Sequence, residues 1–129
     1  MNYSKRGLEK RKKDREGFAE FFQECTQEIK DNKLSCEECG AKLQGHVSEV
    51  AHILPKGYFK SIATNKLNWI PLCGQWSSNN QCHTNFDNFP LKKVKEMKIY
   101  SRICIIFAEL EPLIEEKIPY KTYDKYGGS

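Results

Sequence analysis

Residues 68–87 open with Asn68-Trp69-Ile70-Pro71-Leu72-Cys73, pass through a Ser- and Asn-rich loop at 75–80, and close with Cys82-His83-Thr84-Asn85-Phe86-Asp87. The opening stretch reads as a short strand. Pro71 confines it to an edge or an end, because proline has no N–H to give to a ladder. The closing stretch belongs to a short helix over about 79–88, halted before Pro90. On a helix, positions i and i+4 share a face, so His83 and Asp87 could hold one metal ion together.

Toward the N-terminus, Val47 to Leu54 is a β-prone run closed by Pro55, and a polar loop follows from Lys56 to Lys66. His52 sits at the end of that run and could approach the same ion from the sheet side. His46 has no motif around it and reads as a loop residue. Gly40 and Gly45 mark turns.

The cysteines frame this region. Cys36-Glu37-Glu38-Cys39 is a tight pair, and Cys73 and Cys82 form a second pair with residues 74–81 between them. Thiolates two residues apart can grip one ion from a single turn, and two such grips complete a tetrahedral zinc site. Four thiolates leave no open position, so this Zn2+ would be structural and would contribute directly to folding. The second pair is wider than the usual spacing. Two disulfides or buried thiols are the alternatives; an N-terminus without an apolar signal core favours thiolates in a reducing, cytoplasmic setting.

Both flanks read as helical. Residues 4–31 form one helix with Ser4 as N-cap and Phe18, Phe22, Cys25 and Ile29 as its apolar stripe. Lys5, Arg6, Lys10, Arg11, Lys12, Lys13 and Arg15 crowd its first half, and Glu16, Glu20, Glu24 and Glu28 line its second. Residues 90–117 form a C-terminal helical region, with a main helix over roughly 90–110 and Val94, Met97, Ile103, Phe107 and Leu110 on its buried stripe. Cys104 lies beside that stripe as a core thiol. Tyr120 to Ser129 reads as a loose tail.

The whole chain, 129 residues with a formal charge of +4 and a pI of about 8.7, suits one domain, 1–129, that tolerates nucleic acid. The longest apolar run, Ile103 to Ala108, is far too short to cross a bilayer. A cationic helix end is as often a solvated surface as a phosphate contact.

Four segments together carry a resemblance: Cys36-Glu37-Glu38-Cys39-Gly40; Val50-Ala51-His52-Ile53-Leu54-Pro55; Asn68-Trp69-Ile70-Pro71-Leu72-Cys73; and Cys82-His83-Thr84-Asn85-Phe86-Asp87. Their order and offsets resemble the zinc-containing branch of the HNH endonuclease family, over residues 36–88. The resemblance implies an α+β fold: a small ββα-metal core with a structural zinc, flanked by N- and C-terminal helices. It implies a metal-dependent DNA endonuclease. His52 would be the general base, and Asn68 would brace the loop between the strands. His83 would bind a catalytic Mg2+ or Mn2+, and Asp87 occupies a second ligand position. The family commonly carries Asp or His before the first histidine; here Ala51 stands there and cannot bind metal, with Glu49 as a substitute ligand.

Duplex DNA would be held through phosphates by the Lys5 to Arg15 cluster, by Lys56 and Lys60, and by Lys92, Lys93, Lys95 and Lys98. Phosphate contacts read no sequence, so specificity is low or supplied by a protein partner. The competing reading is a non-catalytic zinc-ribbon module that binds nucleic acid or protein. A toxin-like nuclease domain is a third, disfavoured by the absence of any export or receptor segment.

Overall fold

The computed structural model describes residues 5 to 127, with side chains from residue 17 onward. Ser4 and the side chains of Lys5, Arg6, Lys10, Arg11, Lys12, Lys13 and Arg15 lie outside the described residues. The chain mixes helices with one two-stranded antiparallel sheet. Helix α1 spans Lys5–Asp31. Its buried row is Phe21, Cys25 and Ile29, at four-residue steps. The expected stripe shares Cys25 and Ile29 with this row but ran through Phe18 and Phe22 in place of Phe21. Those two rings are half-buried and flank the row, with the Lys56 ammonium 5.3 Å from the Phe18 ring and 5.1 Å from the Phe22 ring. Burying Phe21 stabilises the docked helix by about 2 kcal/mol.

Strand β1 is Val50–His52 and β2 is Trp69–Pro71; Val50 pairs with Pro71, Ala51 with Ile70 and His52 with Trp69. Pro71 falls at the end of its strand, where its missing N–H costs no ladder bond. Side chains alternate across the pleat, so Val50 and His52 share one face. Ala51 points the other way and is fully buried in the core.

Helix α2, Cys82–Asn88, begins later than the expected position 79, because Gln81 adopts a left-handed backbone (φ 46°) that breaks the helical path. Its start is tied to Cys73, two residues after β2: the Cys82 N–H donates to Cys73 Sγ at 3.3 Å and the His83 N–H to the Cys73 carbonyl at 3.1 Å.

The expected helix over 90–110 is two. Helix α3 is Leu91–Glu96 and α4 is Tyr100–Leu110, with Met97 extended between them. The Glu38 carboxylate accepts from the Lys98 and Ile99 N–H groups, both at 3.1 Å, and so caps the new N-terminus from the cysteine turn. Glu37, its neighbour, pairs with Arg102 one turn into α4 at 2.8 Å. The two residues inside the first cysteine pair thus clamp the C-terminal region to the cysteines. After a 3₁₀ turn at Glu111–Leu113, the segment 114–117 is fastened to the loop after β1 by hydrogen bonds of Tyr58 to the Lys117 carbonyl and of Ser61 to Glu116.

The tail expected to be loose is helix α5, Tyr120–Tyr126. Tyr123 and Tyr126 set their rings against Phe107, at 5.9 and 5.7 Å. Tyr126 is buried and donates its hydroxyl proton to the Ile53 carbonyl at 2.6 Å. The packing of these rings holds a helix too short to persist alone. One hydrophobic cluster runs from Phe21 through both strands, Phe86 and α4 to Tyr126.

Candidate metal and active sites

Cys36, Cys39, Cys73 and Cys82 bring their sulfurs within 4.8 Å of one another, a group that could hold a metal ion. The turn that carries the first pair is closed by Gly40, whose φ of 80° a side chain would disfavour. In that turn the Cys36 N–H donates to the Ala41 carbonyl at 2.8 Å, and the Cys39 N–H reaches Cys36 Sγ at 3.5 Å. Such N–H groups stabilise thiolate charge. The unusual spacing of the second pair has a simple cause: Cys73 leaves β2 and Cys82 opens α2, and the loop between them folds outward.

The donor set fits zinc. Sulfurs bound to zinc at about 2.3 Å form a tetrahedron with edges of about 3.8 Å; the Cys39–Cys73 sulfur separation is 3.7 Å. All six cysteines are free thiols. Burial pushes the Cys73 and Cys82 thiols up; hydrogen bonds from Cys82 oppose it at Cys73, whereas the neighbouring sulfurs add to it at Cys82. Burial opposes ionisation of Cys39 too, but hydrogen bonds from Asn80, the Ala41 backbone and the neighbouring thiols bring it down to about 6. Four sulfurs this close ionise together only around a cation.

The second site lies where α2 faces β1. A cleft of about 560 Å³ is lined by His52, His83, Asp87, Lys56 and Lys125, with Ser48, Val50, Phe86 and Tyr126 among the residues of its walls. His83 follows Cys82 directly. Successive residues project in different directions on a helix, so one helix start serves both sites.

Each histidine has one ring nitrogen committed to a backbone carbonyl. A carbonyl only accepts, so the nitrogen bonded to it carries a proton. His83 Nδ1 donates to the Ser48 carbonyl at 2.6 Å. Its Nε2 is left facing Asp87 Oδ2 at 3.2 Å. Burial opposes charge on His83, but the bonds to Asp87 and Ser48 outweigh it and raise its pKa above the ordinary value. His52 Nε2 donates to the Ala63 carbonyl at 3.0 Å, leaving Nδ1 as its only proton acceptor. Burial lowers the His52 pKa; the bond to Ala63 works against that, and Lys56 and His83 add to it. The His52 ring stacks on Phe21 at 5.0 Å and meets the edge of Phe22 at 5.6 Å, so α1 forms its backing.

Asn68 is fully buried and straddles the mouth of the strand pair: Oδ1 accepts from the Leu54 N–H at 2.8 Å and Nδ2 donates to the Leu54 carbonyl at 3.1 Å. Those bonds satisfy a backbone that leaves the sheet just after His52.

Glu49 is not available as a ligand. It is fully buried, and its carboxylate accepts the N–H groups of Gln44, Gly45 and His46 and the hydroxyl of Ser77. Burial raises its pKa, yet these bonds outweigh burial and hold it below the usual value. His46 caps the same turn by accepting from the Ser48 N–H at 3.1 Å. Together they set the carbonyl of Ser48 where His83 needs it. Ala51 faces the core, so β1 brings no metal ligand into the cleft.

Of the expected phosphate contacts, Lys56 reaches the cleft. Lys60, Lys92 and Lys93 are exposed and do not line it; Lys93 rests over Phe89 at 5.2 Å. Sequence reasoning missed the carbonyls of Ser48 and Ala63, which carry no residue signature. It also missed Lys125, although Pro119 followed by Tyr120, Tyr123 and Tyr126 is a helical start with an apolar face. Among the described residues, no helix is long and apolar enough to cross a membrane. No family model, no curated protein and no solved structure matches the chain, so the reading of the site rests on its own geometry.

Proposed function

We propose that this chain is a metal-dependent endonuclease of the HNH type that hydrolyses phosphodiester bonds in DNA, with β1, β2 and α2 as its ββα core. The observation that carries the reading is the placing of two differently committed imidazoles across one cleft. His52 keeps a bare Nδ1, a proton acceptor, while His83 turns its Nε2 to the Asp87 carboxylate, where an ion would replace the proton between them. A binding module has no need of that complementarity.

The His83–Asp87 pair fits a divalent ion. Neighbouring ligands in an octahedral Mg2+ shell stand roughly 3 Å apart, and the two atoms here are separated by 3.2 Å. Water and phosphate oxygens complete such a shell readily, which compensates for Ala51. When bound, the ion polarises the phosphodiester and offsets negative charge on the leaving 3′ oxygen. The chain supplies the rest. His52 Nδ1 takes a proton from water as the water oxygen bonds to phosphorus. The P–O3′ bond breaks, giving a 5′ phosphate and a 3′ hydroxyl, and the leaving oxygen takes its proton from solvent. Asn68 keeps the turn after His52 closed, and Phe21 holds the imidazole plane. Lys56 positions a flanking phosphate.

The four-cysteine cluster holds structural zinc and anchors the start of α2. The test is nicking of supercoiled plasmid by the zinc-loaded protein with Mg2+ or Mn2+, with the same zinc-loaded protein lacking either ion as control. Metal-dependent nicking is expected. DNA binding without nicking under any divalent ion would instead favour the non-catalytic zinc module, a reading supported by the missing ligand at Ala51.

A further inference from the structure

Helix α5 belongs to neither ligand set, yet it forms one wall of the cleft. Its attachment is specific. Tyr126 is 3 % exposed and its hydroxyl is bonded to the carbonyl of Ile53, the residue after His52. Tyr123 and Tyr126 also pack on Phe107. These anchors sit on either side of Lys125 and turn it inward, where it lines the cleft with His52, His83 and Asp87. The ammonium lies 5.1 Å from the centre of the Phe86 ring and 5.3 Å from that of Tyr126. Phe86 is itself on α2, next to Asp87. Two ring faces from two elements therefore locate one cation beside the metal-ligand pair.

Among the described residues, Lys125 forms no ion pair, although it is close enough to Asp87 to feel its charge. A half-buried ammonium held on aromatic faces, with its strongest donor directions uncommitted, suits an oxyanion that arrives with a ligand. The cleft also has a use for it. With Ala51 turned into the core, the metal has two protein ligands, and a fixed cation adds positive charge that does not depend on the shell being complete.

We infer that Lys125 binds a non-bridging phosphate oxygen of the DNA backbone at the scissile position, making α5 a working part of the active site. This rests on the DNA reading above. Lys56, on the Phe18 and Phe22 rings, would take a neighbouring phosphate, so two lysines on ring platforms bracket the bond to be cut.

The experiment compares the wild-type chain with Lys125→Ala, Lys125→Arg and Lys121→Ala, the last an exposed lysine of the same helix outside the cleft. Zinc content and melting curves establish that each variant is folded. Affinity for a short duplex is measured on the zinc-loaded protein without added Mg2+ or Mn2+ over a salt series, and plasmid nicking with Mg2+ or Mn2+. Lys125→Ala should reduce the salt slope of log K by about 0.9 and slow nicking roughly 10²-fold. Lys125→Arg should restore most of the slope, and Lys121→Ala should leave nicking unchanged. If wild type nicks and Lys125→Ala nicks equally with an unaltered slope, the Lys125 assignment is overturned and the nuclease reading stands. If wild type binds DNA with a Lys125-dependent slope but never nicks, Lys125 stands as a phosphate ligand and the nuclease reading fails. If wild type does not bind the duplex, both are overturned.

Discussion

Cys82 and His83 are consecutive residues, and each opens a different kind of site. The cysteine cluster is closed: four sulfurs, two from one turn, one from just after β2 and one from the start of α2, gather within 4.8 Å of one another and leave nothing for a substrate. The cleft is open: one imidazole and one carboxylate on α2 face solvent and a second imidazole on β1. The contrast follows from chemistry. Soft thiolates bind zinc tightly enough to stabilise a small fold, whereas an imidazole and a carboxylate with room for water suit the exchangeable ion of the proposed function. The closed site fixes the start of α2 through Cys73 and Cys82, and so aims the open one.

The sharpest way to break this division of labour is Cys36→Ser. Structural zinc contributes about 10–16 kcal/mol in small zinc domains, comparable with the whole stability of a domain, about 5–15 kcal/mol. Zinc should be lost and cooperative melting with it, as read by metal analysis and circular dichroism. A mutant with the wild-type melting midpoint would contradict a folding role for the cluster.

His52→Ala attacks the open site alone. Nicking should fall by roughly 10² to 10⁴-fold while one zinc per chain is retained. Activity that survives at the wild-type rate would remove His52 from the chemistry.

The pH profile sharpens the same point. His52 acts when neutral, and burial and Lys56 place its pKa below the ordinary 6.5 or so, against the opposing bond to Ala63. The acid limb of the rate should therefore reach half-maximum below about pH 6.5. Stability carries the same sign. Because the folded pKa is depressed, the contribution of His52 is fully present above its unfolded value and is lost as pH falls toward the folded one. His52→Ala should lose that acid-side slope in a melting series. A limb centred well above pH 6.5 would assign the titration to another group.

The smallest effect is expected at the seam between the cysteine turn and the C-terminal helices. Glu38→Ala removes the cap of α4 and should cost about 1 kcal/mol, a fall of roughly 4 °C in midpoint. Zinc content should be unchanged. A large loss of zinc would show that α4 supports the cysteine turn, rather than being supported by it.

Local pattern carried much of the outline. The tight Cys36–Cys39 pair, the i,i+4 placement of His83 and Asp87, and Pro71 at a strand end were legible because each depends on backbone spacing within one element. Other features were not. Cys25 and Ile29 lie on the buried row of α1 as expected, but Phe21 takes the place expected for Phe22, a choice that only its partners make. The break at Met97 follows from a carboxylate, Glu38, far away in the chain. Helix α5 was taken for a tail because so short a segment has little intrinsic helicity, and its rings declare themselves only against Phe107.

By itself, then, the order of residues determined which donors exist and which of them share a turn or a helix face, since covalent geometry sets those distances. The tertiary structure decided which nitrogen of His52 stays bare and which of His83 meets Asp87, that Glu49 is consumed by backbone N–H groups, that Ala51 faces inward, and that Lys125 enters the cleft. Those outcomes hang on carbonyls, ring faces and pleat direction brought together from distant segments, and no local spacing encodes them.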